Sequence, residues 1–182
     1  HYWSLPEVPV MKLNIGGSTP AAEWKNMHPS ENADVDYKGD FGDLGQFSNA
    51  SFDIIDSCHL LQRCGYKDEI PQALGECFRI LKPGGELMVS VPDMAALCIL
   101  FVHEKITPDH QWHLMRILFG GEIDEDDFNA TGFTADFLGS FLTDAGFENI
   151  KCIDDFGLFD DASQEKLNGI SVSLNMKAAK PA

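Results

Sequence analysis

Basic residues are scarce in this sequence. Lys and Arg together number 13 of 182 residues, against 29 Asp and Glu, so the formal net charge is −16. Binding to nucleic acid or to an anionic membrane needs clustered Lys and Arg that neutralise phosphates. We therefore expect an acidic protein with no nucleic acid and no membrane among its partners, which binds small, neutral or cationic molecules.

The sequence also lacks closely spaced cysteine pairs and long apolar runs. The five cysteines are an odd number and form no CxxC pair, which favours reduced thiols over a disulfide framework. No apolar run reaches the roughly 18 residues that a membrane-spanning helix needs. We therefore expect a cytoplasmic protein with neither a membrane anchor nor a cleavable leader.

The junction at residues 81–87, Leu-Lys-Pro-Gly-Gly-Glu-Leu, is the most informative stretch. Before it, apolar residues recur every three or four positions over residues 68–81, which predicts a helix with one buried stripe. Pro83 is expected to stop this helix, and Gly84-Gly85 permits the chain to reverse. Residues 87–91 then predict a strand buried on both faces. A helix that feeds such a strand is half of a parallel crossover unit.

Other strand candidates complete the prediction of the fold class. The spacing of apolar residues predicts strands at residues 10–15, 25–28, 35–39 and 52–57, and a closing antiparallel pair at residues 148–153 and 170–176. Strands that alternate with helices indicate an α/β fold with a doubly wound, Rossmann-like, mostly parallel sheet and an antiparallel C-terminal strand. At 44% apolar content, the chain predicts a single domain, residues 1–182.

Two further helices are predicted after the central junction. Residues 94–103 show a helical pattern, and residues 134–145 place Phe137, among others, on one apolar face. Gly146 supplies the left-handed cap that ends the second of these helices.

Two connecting segments stand apart from this pattern. A brief helical piece is predicted at residues 21–24, where Thr19 caps it and Pro20 occupies its first position. Residues 107–129 are irregular and too long for an ordinary connection. We expect an insertion at about residues 104–133 that serves as a lid or a substrate loop.

A series of short segments follows an informative order and spacing. The segments are Leu-Asn-Ile-Gly-Gly at 13–17, Trp-Lys-Asn at 24–26, Asp-Val-Asp-Tyr at 34–37, Gly-Asp-Phe at 39–41, Ser-Phe-Asp at 51–53, His-Leu-Leu at 59–61, Arg-Ile-Leu-Lys-Pro-Gly-Gly at 79–85, and the tail segments 118–121, 145–147 and 156–159. This series resembles the class I methyltransferases that use S-adenosylmethionine. It is most similar to a compact bacterial subgroup, and the resemblance covers nearly the whole chain.

The resemblance implies where the cofactor binds. The turn after the first strand would present backbone N–H groups to the methionine end, and a glycine turn suits that close approach. An acid after the third strand would accept a hydrogen bond from the adenine amino group, and the next residue would offer its N–H and ring. The segment after the fourth strand would lie over the sulfonium. The implied cofactor-binding residues are Gly16, Gly17, Ser18, Asp40, Phe41, Ser57 and Cys58.

The resemblance also implies the activity. It implies transfer of a methyl group from S-adenosylmethionine to a small-molecule acceptor by in-line displacement, with a sugar or a cell-surface glycan intermediate as the family expectation. A hydroxyl acceptor would need proton removal, for which His59 and His113 are the catalytic candidates. The sequence specifies neither the acceptor nor the oligomeric state.

Departures from the family pattern support a second hypothesis. Relatives commonly have Leu-Glu-His after the fourth strand, whereas Gln62 and Arg63 follow Leu61 here. Met27 and His28 stand where most relatives have an acid for the ribose hydroxyls. The alternative is therefore a degenerate, non-catalytic protein of the same fold that binds the cofactor or a partner.

Simpler interpretations remain open for single residues. Gly16 and Gly17 also fit an ordinary turn, Asp40 a solvated loop acid, and His59 a histidine at a helix N-terminus. His110 and His113 lack the spacing of a zinc site, so no metal is expected. A nicotinamide-dependent oxidoreductase is a third hypothesis, supported by Asp36 about twenty residues after the glycine turn.

Overall fold

The computed structural model describes residues 9–17, 21–30, 34–123 and 127–182. Its centre is a seven-stranded sheet in the order β3-β2-β1-β4-β5-β9-β6. The strands are β1 (Lys12–Ile15), β2 (Lys25–His28), β3 (Tyr37–Lys38), β4 (Phe52–Cys58), β5 (Leu81–Pro92), β6 (Glu148–Ile153) and β9 (Ser173–Ala179). A separate two-stranded hairpin consists of β7 (Lys166–Leu167) and β8 (Ile170–Ser171).

The pairing of the strands confirms the predicted fold class. Strands β1 to β5 pair parallel with one another. Strand β9 pairs antiparallel with both β5 and β6. The last strand in sequence thus lies inside the sheet, and β6 forms its edge. This is a mixed, mostly parallel, Rossmann-like sheet with the predicted antiparallel strand.

One face of the sheet is apolar and covered by two helices. Helix α1 (Glu69–Ile80) and helix α4 (Ala135–Asp144) pack on this face and bury their apolar stripes in the main core. Side chains alternate along a strand, so the same face receives every second residue. The strand residues of this face that belong to the core include Leu13, Ile15, Met27, Ile55, Leu87, Val89, Val91, Leu174, Met176 and Ala178.

The opposite face of the sheet is polar, yet much of it is buried. Its buried side chains include Asn14, Asn26, Asp56, Ser90, Ser173 and Asn175. Part of their cover is residues 154–165, a mostly irregular segment that contains one short 3-10 helix, Ala162–Gln164. We call this segment the acidic roof because five of its residues are Asp or Glu. Asn175 Nδ2 donates to the carbonyl oxygens of Asp154 at 3.0 Å and Ser163 at 2.9 Å, and so holds the roof on the sheet.

The central junction differs from its prediction in one respect. Helix α1 already ends at Ile80, and β5 starts at Leu81, so Pro83 is not the residue that stops the helix. The Lys-Pro-Gly-Gly segment lies within the strand instead, where the pairing with β4 is irregular. Gly84 adopts a positive φ of 76°, and its N–H donates to the carbonyl oxygen of Lys180 at 3.0 Å.

The region after β5 is more helical than predicted. Helix α2 (Met94–Phe101) ends before residue 103, and helix α3 (Pro108–Phe119) occupies most of the segment that was expected to be irregular. The Thr107 side chain caps α3 by accepting from the His110 N–H at 3.2 Å, and Pro108 stands in the first turn. These are ordinary helix-start residues, so the prediction of an irregular segment was wrong here.

The structure differs from the predictions for residues 21–24 and for Phe137. Residues 21–24 form a turn rather than a helix, closed by a 3.1 Å bond from the Trp24 N–H to the Ala21 carbonyl oxygen. The proposed caps Thr19 and Pro20 lie outside the described residues. Phe137 is 60% exposed, so it does not share the buried face of α4. No helix in the described ranges is long and apolar enough to cross a membrane.

Candidate functional site

The glycine turn after β1 has two separate physical requirements. Gly16 adopts a φ of 93°, which L-residues with side chains rarely adopt, and its N–H donates to the Met27 carbonyl oxygen at 2.8 Å. A Cβ on Gly17 would lie 2.3 Å from Nδ2 of Asn14. The turn therefore requires glycine at both positions before any ligand is considered. Ser18 lies outside the described residues.

A cavity of about 480 Å³ opens beside this turn. It lies at the carboxyl edge of the parallel strands, where α/β proteins bind ligands. The acidic roof forms its other wall. Its lining residues are Asn14, Gly16, Gly17, Ala21, Cys58, His59, Leu158, Phe159, Asp160, Asp161 and Ala162. We call it the glycine-turn cavity.

A second cavity, of about 420 Å³, lies at the same edge of the sheet. We call it the Asp40 cavity. Its lining residues are Pro29, Asp40, Phe41, Gly42, Leu60, Arg63, Cys64, Glu69, Gln72, Ala73 and Phe128. Leu60 packs against Gly16, since a Cβ added to that glycine would lie 3.5 Å from the leucine side chain. The Leu60 side chain therefore lies between the two cavities.

Asp40 begins the short 3-10 helix Phe41–Gln46. Its Oδ1 accepts from the Gly42 N–H at 2.7 Å, while its own N–H donates to Asp43 Oδ2 at 3.1 Å. This reciprocal pair is a capping box. No described residue donates to Oδ2 of Asp40, so one carboxylate oxygen stays available to a ligand. The ring of Phe41 is buried in the core as well as lining the cavity.

Arg79 fixes this helix in place, and sequence reasoning did not single it out. Its guanidinium donates to the carbonyl oxygens of Phe47 at 2.8 Å and Leu44 at 3.0 Å. It also pairs with Glu76 at 2.7 Å within α1. The carboxylate of Asp40 is thereby positioned by a helix that packs on the apolar face of the sheet.

Two of the predicted cofactor-binding residues, Ser57 and Cys58, lie at the end of β4 in different surroundings. Ser57 is completely buried, lies on the apolar face, and lines neither cavity in the described structure. Cys58 lines the glycine-turn cavity, and burial raises the pKa of its thiol far above the ordinary value. The Cys58 thiol therefore stays protonated at physiological pH and is a poor nucleophile.

His59 also lines the glycine-turn cavity and adopts a φ of 50°, which is uncommon for a non-glycine residue. Its Nε2 lies 2.8 Å from Oγ of Ser173. Burial lowers the pKa of His59 to about 4, although the charges of Glu165 and Asp161 act in the opposite direction. The imidazole is therefore neutral at physiological pH and can accept a hydrogen bond.

His113 lies elsewhere, on α3. Its Nε2 is 2.7 Å from Oε1 of Glu165, and both side chains are partly exposed. Among the described lining residues, His113 contributes to neither cavity. The structure therefore does not bring the two predicted catalytic histidines into one cavity, although Glu165 acts electrostatically on His59.

The acidic roof adds a charged group that the sequence patterns did not reveal. Asp161 faces Cys58 and Asp56, and both acquire raised pKa values from burial and from this carboxylate. The pKa of Asp56 rises to about 7, and its Oδ2 has no hydrogen-bond partner in the described parts of the chain. The resemblance included residues 156–159 but gave no role to the acids after them.

The residues that depart from the family pattern hold the insertion in place. The carbonyl oxygen of Gln62 accepts from the N–H groups of Ala130 at 2.9 Å and Thr131 at 3.0 Å. Arg63 pairs with Asp127 at 3.6 Å, and the adjacent Phe128 lines the Asp40 cavity. Gln62 and Arg63 thus fasten the end of the insertion over that cavity.

Two alternatives can be compared with the geometry. Asp36, which supported an oxidoreductase, binds Lys25 Nζ and the Asn26 N–H, each at 2.9 Å, so both of its oxygens are engaged within the protein. No group of His, Cys, Asp and Glu suited to a metal ion occurs among the described residues. All five cysteines are free thiols.

Comparison with protein families favours one of these hypotheses. The family model described as a methyltransferase domain matches residues 14–89, which span the glycine turn, Asp40 and His59. This part of the chain is therefore similar to the methyltransferase domain family, in agreement with the resemblance to the class I methyltransferases, for which S-adenosylmethionine is the implied cofactor. A search of curated proteins finds no match to this sequence.

Solved structures share the fold of this chain at low sequence identity. A protein of Bordetella parapertussis described as a possible exported protein is 16% identical, with a TM-score of 0.63, 96% of this chain covered, and 62% of its own. A Thermotoga maritima protein described as a possible histamine N-methyltransferase is 21% identical, with a TM-score of 0.58 and coverages of 97% and 83%. A Methanosarcina mazei methyltransferase is 17% identical, with a TM-score of 0.60 and coverages of 97% and 94%. The chain thus spans less than two thirds of the Bordetella protein.

Proposed function

We propose that this protein transfers a methyl group from S-adenosylmethionine to a small-molecule acceptor. The observation that carries this proposal is that the glycine-turn cavity and the Asp40 cavity lie on either side of Leu60 at the same edge of the sheet. A glycine turn, a carboxylate and a neutral histidine thus surround one continuous edge of the sheet. The acidic roof suits a cofactor that carries positive charge.

The residues fit the cofactor in three respects. The free Oδ2 of Asp40 can accept the adenine amino group, and the turn at Gly16 and Gly17 offers backbone close to the methionine end. Cys58 lines the same cavity and would contact this end of the cofactor. S-adenosylmethionine supplies an activated methyl group when bound, so the protein must chiefly align the acceptor and exclude water. Ser18 and Phe41 remain cofactor-binding candidates by resemblance, whereas Ser57 is completely buried and lines neither cavity.

His59 is the residue we assign to the acceptor. Because its imidazole is neutral above about pH 4, it can hold the proton of an acceptor hydroxyl by hydrogen bonding. His113 is the second candidate, and it would need the acceptor to extend toward α3. A sugar or a glycan intermediate suits these polar groups and remains the acceptor class we favour.

The proposal also includes the cellular location, the class of substrate and the role of the insertion. The five free thiols favour the cytoplasm, and the net charge of −16 disfavours nucleic acid as a substrate. We assign the insertion at about residues 104–133, whose end is fastened over the Asp40 cavity, as the lid that contacts the acceptor.

Titration calorimetry with S-adenosylhomocysteine tests cofactor binding. Asp40→Asn keeps an oxygen that can cap the Gly42 N–H but replaces the free acceptor oxygen by an amide donor. We expect roughly 10- to 100-fold weaker binding, because a hydrogen bond to a charged group contributes about 1.5–3 kcal/mol. Asp43→Asn, in the same capping box, is the matched control and should bind nearly as wild type does. Unchanged affinity in Asp40→Asn would remove the adenine assignment.

A non-catalytic relative is the second candidate function. It is favoured by Gln62 and Arg63, which stand where relatives commonly have Glu and His; the Arg63 side chain pairs with Asp127 of the insertion instead. Cofactor binding without turnover across a broad panel of acceptors, sugars included, would support it. Detection of any methylated product by mass spectrometry would eliminate it.

A further inference from the structure

A chain of two hydrogen bonds connects His59 to the acidic roof. His59 Nε2 lies 2.8 Å from Oγ of Ser173, and that oxygen donates to the carbonyl oxygen of Ala162 at 2.7 Å. A carbonyl oxygen carries no proton, so the single hydroxyl proton of Ser173 is used toward Ala162. Ser173 can then only accept from His59.

This order of donors fixes the tautomer of His59. A neutral imidazole has one N–H and one lone pair, and the hydrogen bond of one nitrogen sets the state of the other. Since Nε2 must donate to Ser173, Nδ1 carries the lone pair. No described residue bonds to Nδ1, and His59 lines the glycine-turn cavity. Nδ1 is therefore the nitrogen that the ring offers to a bound molecule.

Burial keeps this arrangement in place. Ser173 is 6% exposed, so water competes little for its hydroxyl group. Asp161 and Glu165 are the charged groups that act on His59, and both belong to the roof. Their negative charges favour the protonated ring, but burial outweighs them, so the neutral form persists.

We propose that Ser173 is a positioning residue that confines the His59 proton to Nε2 and so leaves Nδ1 as the proton acceptor toward the substrate. The role of Nδ1 as proton acceptor toward the substrate rests on the proposed methyl transfer. The position of the proton on Nε2 is a property of the free protein and requires no turnover. Ser173 itself touches neither cofactor nor acceptor in this assignment.

The test is the tautomer of His59 in 15N-labelled protein, read from long-range 1H–15N correlation spectra of the histidine rings. His59→Gln identifies the His59 signals by their loss. Wild-type protein should show the proton on Nε2, and Ser173→Ala should show a mixture of the two tautomers. Ser173→Thr keeps a hydroxyl and should retain the wild-type tautomer. Ser171→Ala is the matched control, because its Oγ donates to the Ser173 carbonyl oxygen and does not contact His59.

Kinetics give the second readout. Ser173→Ala should lower kcat by about 10- to 100-fold, the range found for partners that orient metal-binding histidines, with unchanged affinity for S-adenosylhomocysteine. Wild-type protein with the His59 proton on Nδ1 would overturn the proposal. A Ser173→Ala variant with the same tautomer as the wild type would also overturn it, whatever the activity of that variant. Absence of turnover in the wild type would refute the proposed function alone, since the spectra still decide the role of Ser173.

Discussion

The two faces of the sheet are buried in different ways. The apolar face is covered by α1 and α4, whose regular stripes fill the main core. The polar face carries Asn14, Asp56, Ser90 and Asn175, and its cover is the irregular acidic roof. Apolar burial supplies most of the stability of a domain, whereas a buried polar layer must satisfy each group by hydrogen bonding. The comparison indicates that the apolar face supplies most of the stability, whereas the polar face contributes the glycine-turn cavity of the candidate site.

The largest expected effect lies on the apolar face. Leu74 of α1 is almost completely buried, and Leu74→Ala should lower the free energy of unfolding by about 2–5 kcal/mol through lost burial and a cavity. Urea unfolding measures this change. Ile99→Ala is the control, since Ile99 is 63% exposed and should change stability by less than about 0.5 kcal/mol. Equal losses in the two variants would contradict the assignment of the core.

The second prediction concerns Asp56 on the polar face. Its folded-state pKa of about 7 lies above an unfolded value near about 3.9. Between these values the folded state keeps a proton that the unfolded state has lost, so this group lowers stability as pH rises from about 4 to about 7. Asp56→Asn should therefore raise the free energy of unfolding at pH 8 by on the order of 2–4 kcal/mol, with little change at pH 4.

Urea unfolding over a pH series measures the Asp56 effect. Asp144→Asn, at the exposed end of α4, is the matched control and should leave the pH dependence as in the wild type. An Asp56→Asn variant that follows the wild-type curve at every pH would show that Asp56 is not a buried, protonated acid.

The third prediction concerns the attachment of the roof. Asn175→Ala removes two buried hydrogen bonds and leaves two carbonyl oxygens unpaired, which should cost about 1–3 kcal/mol. It should also increase proteolytic cleavage within residues 154–165, measured by limited proteolysis. Gln164→Ala, whose amide bonds to Asp155 at the surface, is the control. Cleavage that is equal in both variants would mean that Asn175 does not hold the roof.

The smallest effect is expected at the aromatic contact between the roof and the turn before β2. The rings of Trp24 and Phe159 meet edge to face with centroids 5.2 Å apart. Such a pair contributes about 0.5–1.5 kcal/mol beyond its burial. A double-mutant cycle with Trp24→Leu and Phe159→Leu should recover this coupling energy. Strict additivity of the two changes would show that the rings do not interact.

The apolar face was the part of the fold most open to prediction. Helices α1 and α4 and strand β5 follow from local apolar spacing and capping, which act over a few residues. Helix α3 was missed because its exposed surface carries Trp112 and Phe119, so no single apolar stripe stands out. Its Thr-Pro start was the local feature that indicated a helix.

The polar face and its site were only partly predictable. The glycine turn follows β1 and Asp40 follows β3. Because both strands could be predicted and are parallel, their carboxyl ends were expected at the same edge of the sheet. Ser173 lies 114 positions from its partner His59, and Asp161 reaches Asp56 from another part of the chain. Contacts of this kind depend on how β9 enters the sheet, which no local pattern encodes.

The interior place of β9 has a consequence for how the protein acquires its structure. Edge strand β6 has β9 as its sheet neighbour, so it cannot pair until the final strand in sequence has docked against β5. Ser173 and Asn175 arrive on that same strand, and the roof cannot fasten without them. The early strands can associate before β9 docks, but His59 gains its hydrogen-bond partner Ser173 only when β9 has entered the sheet.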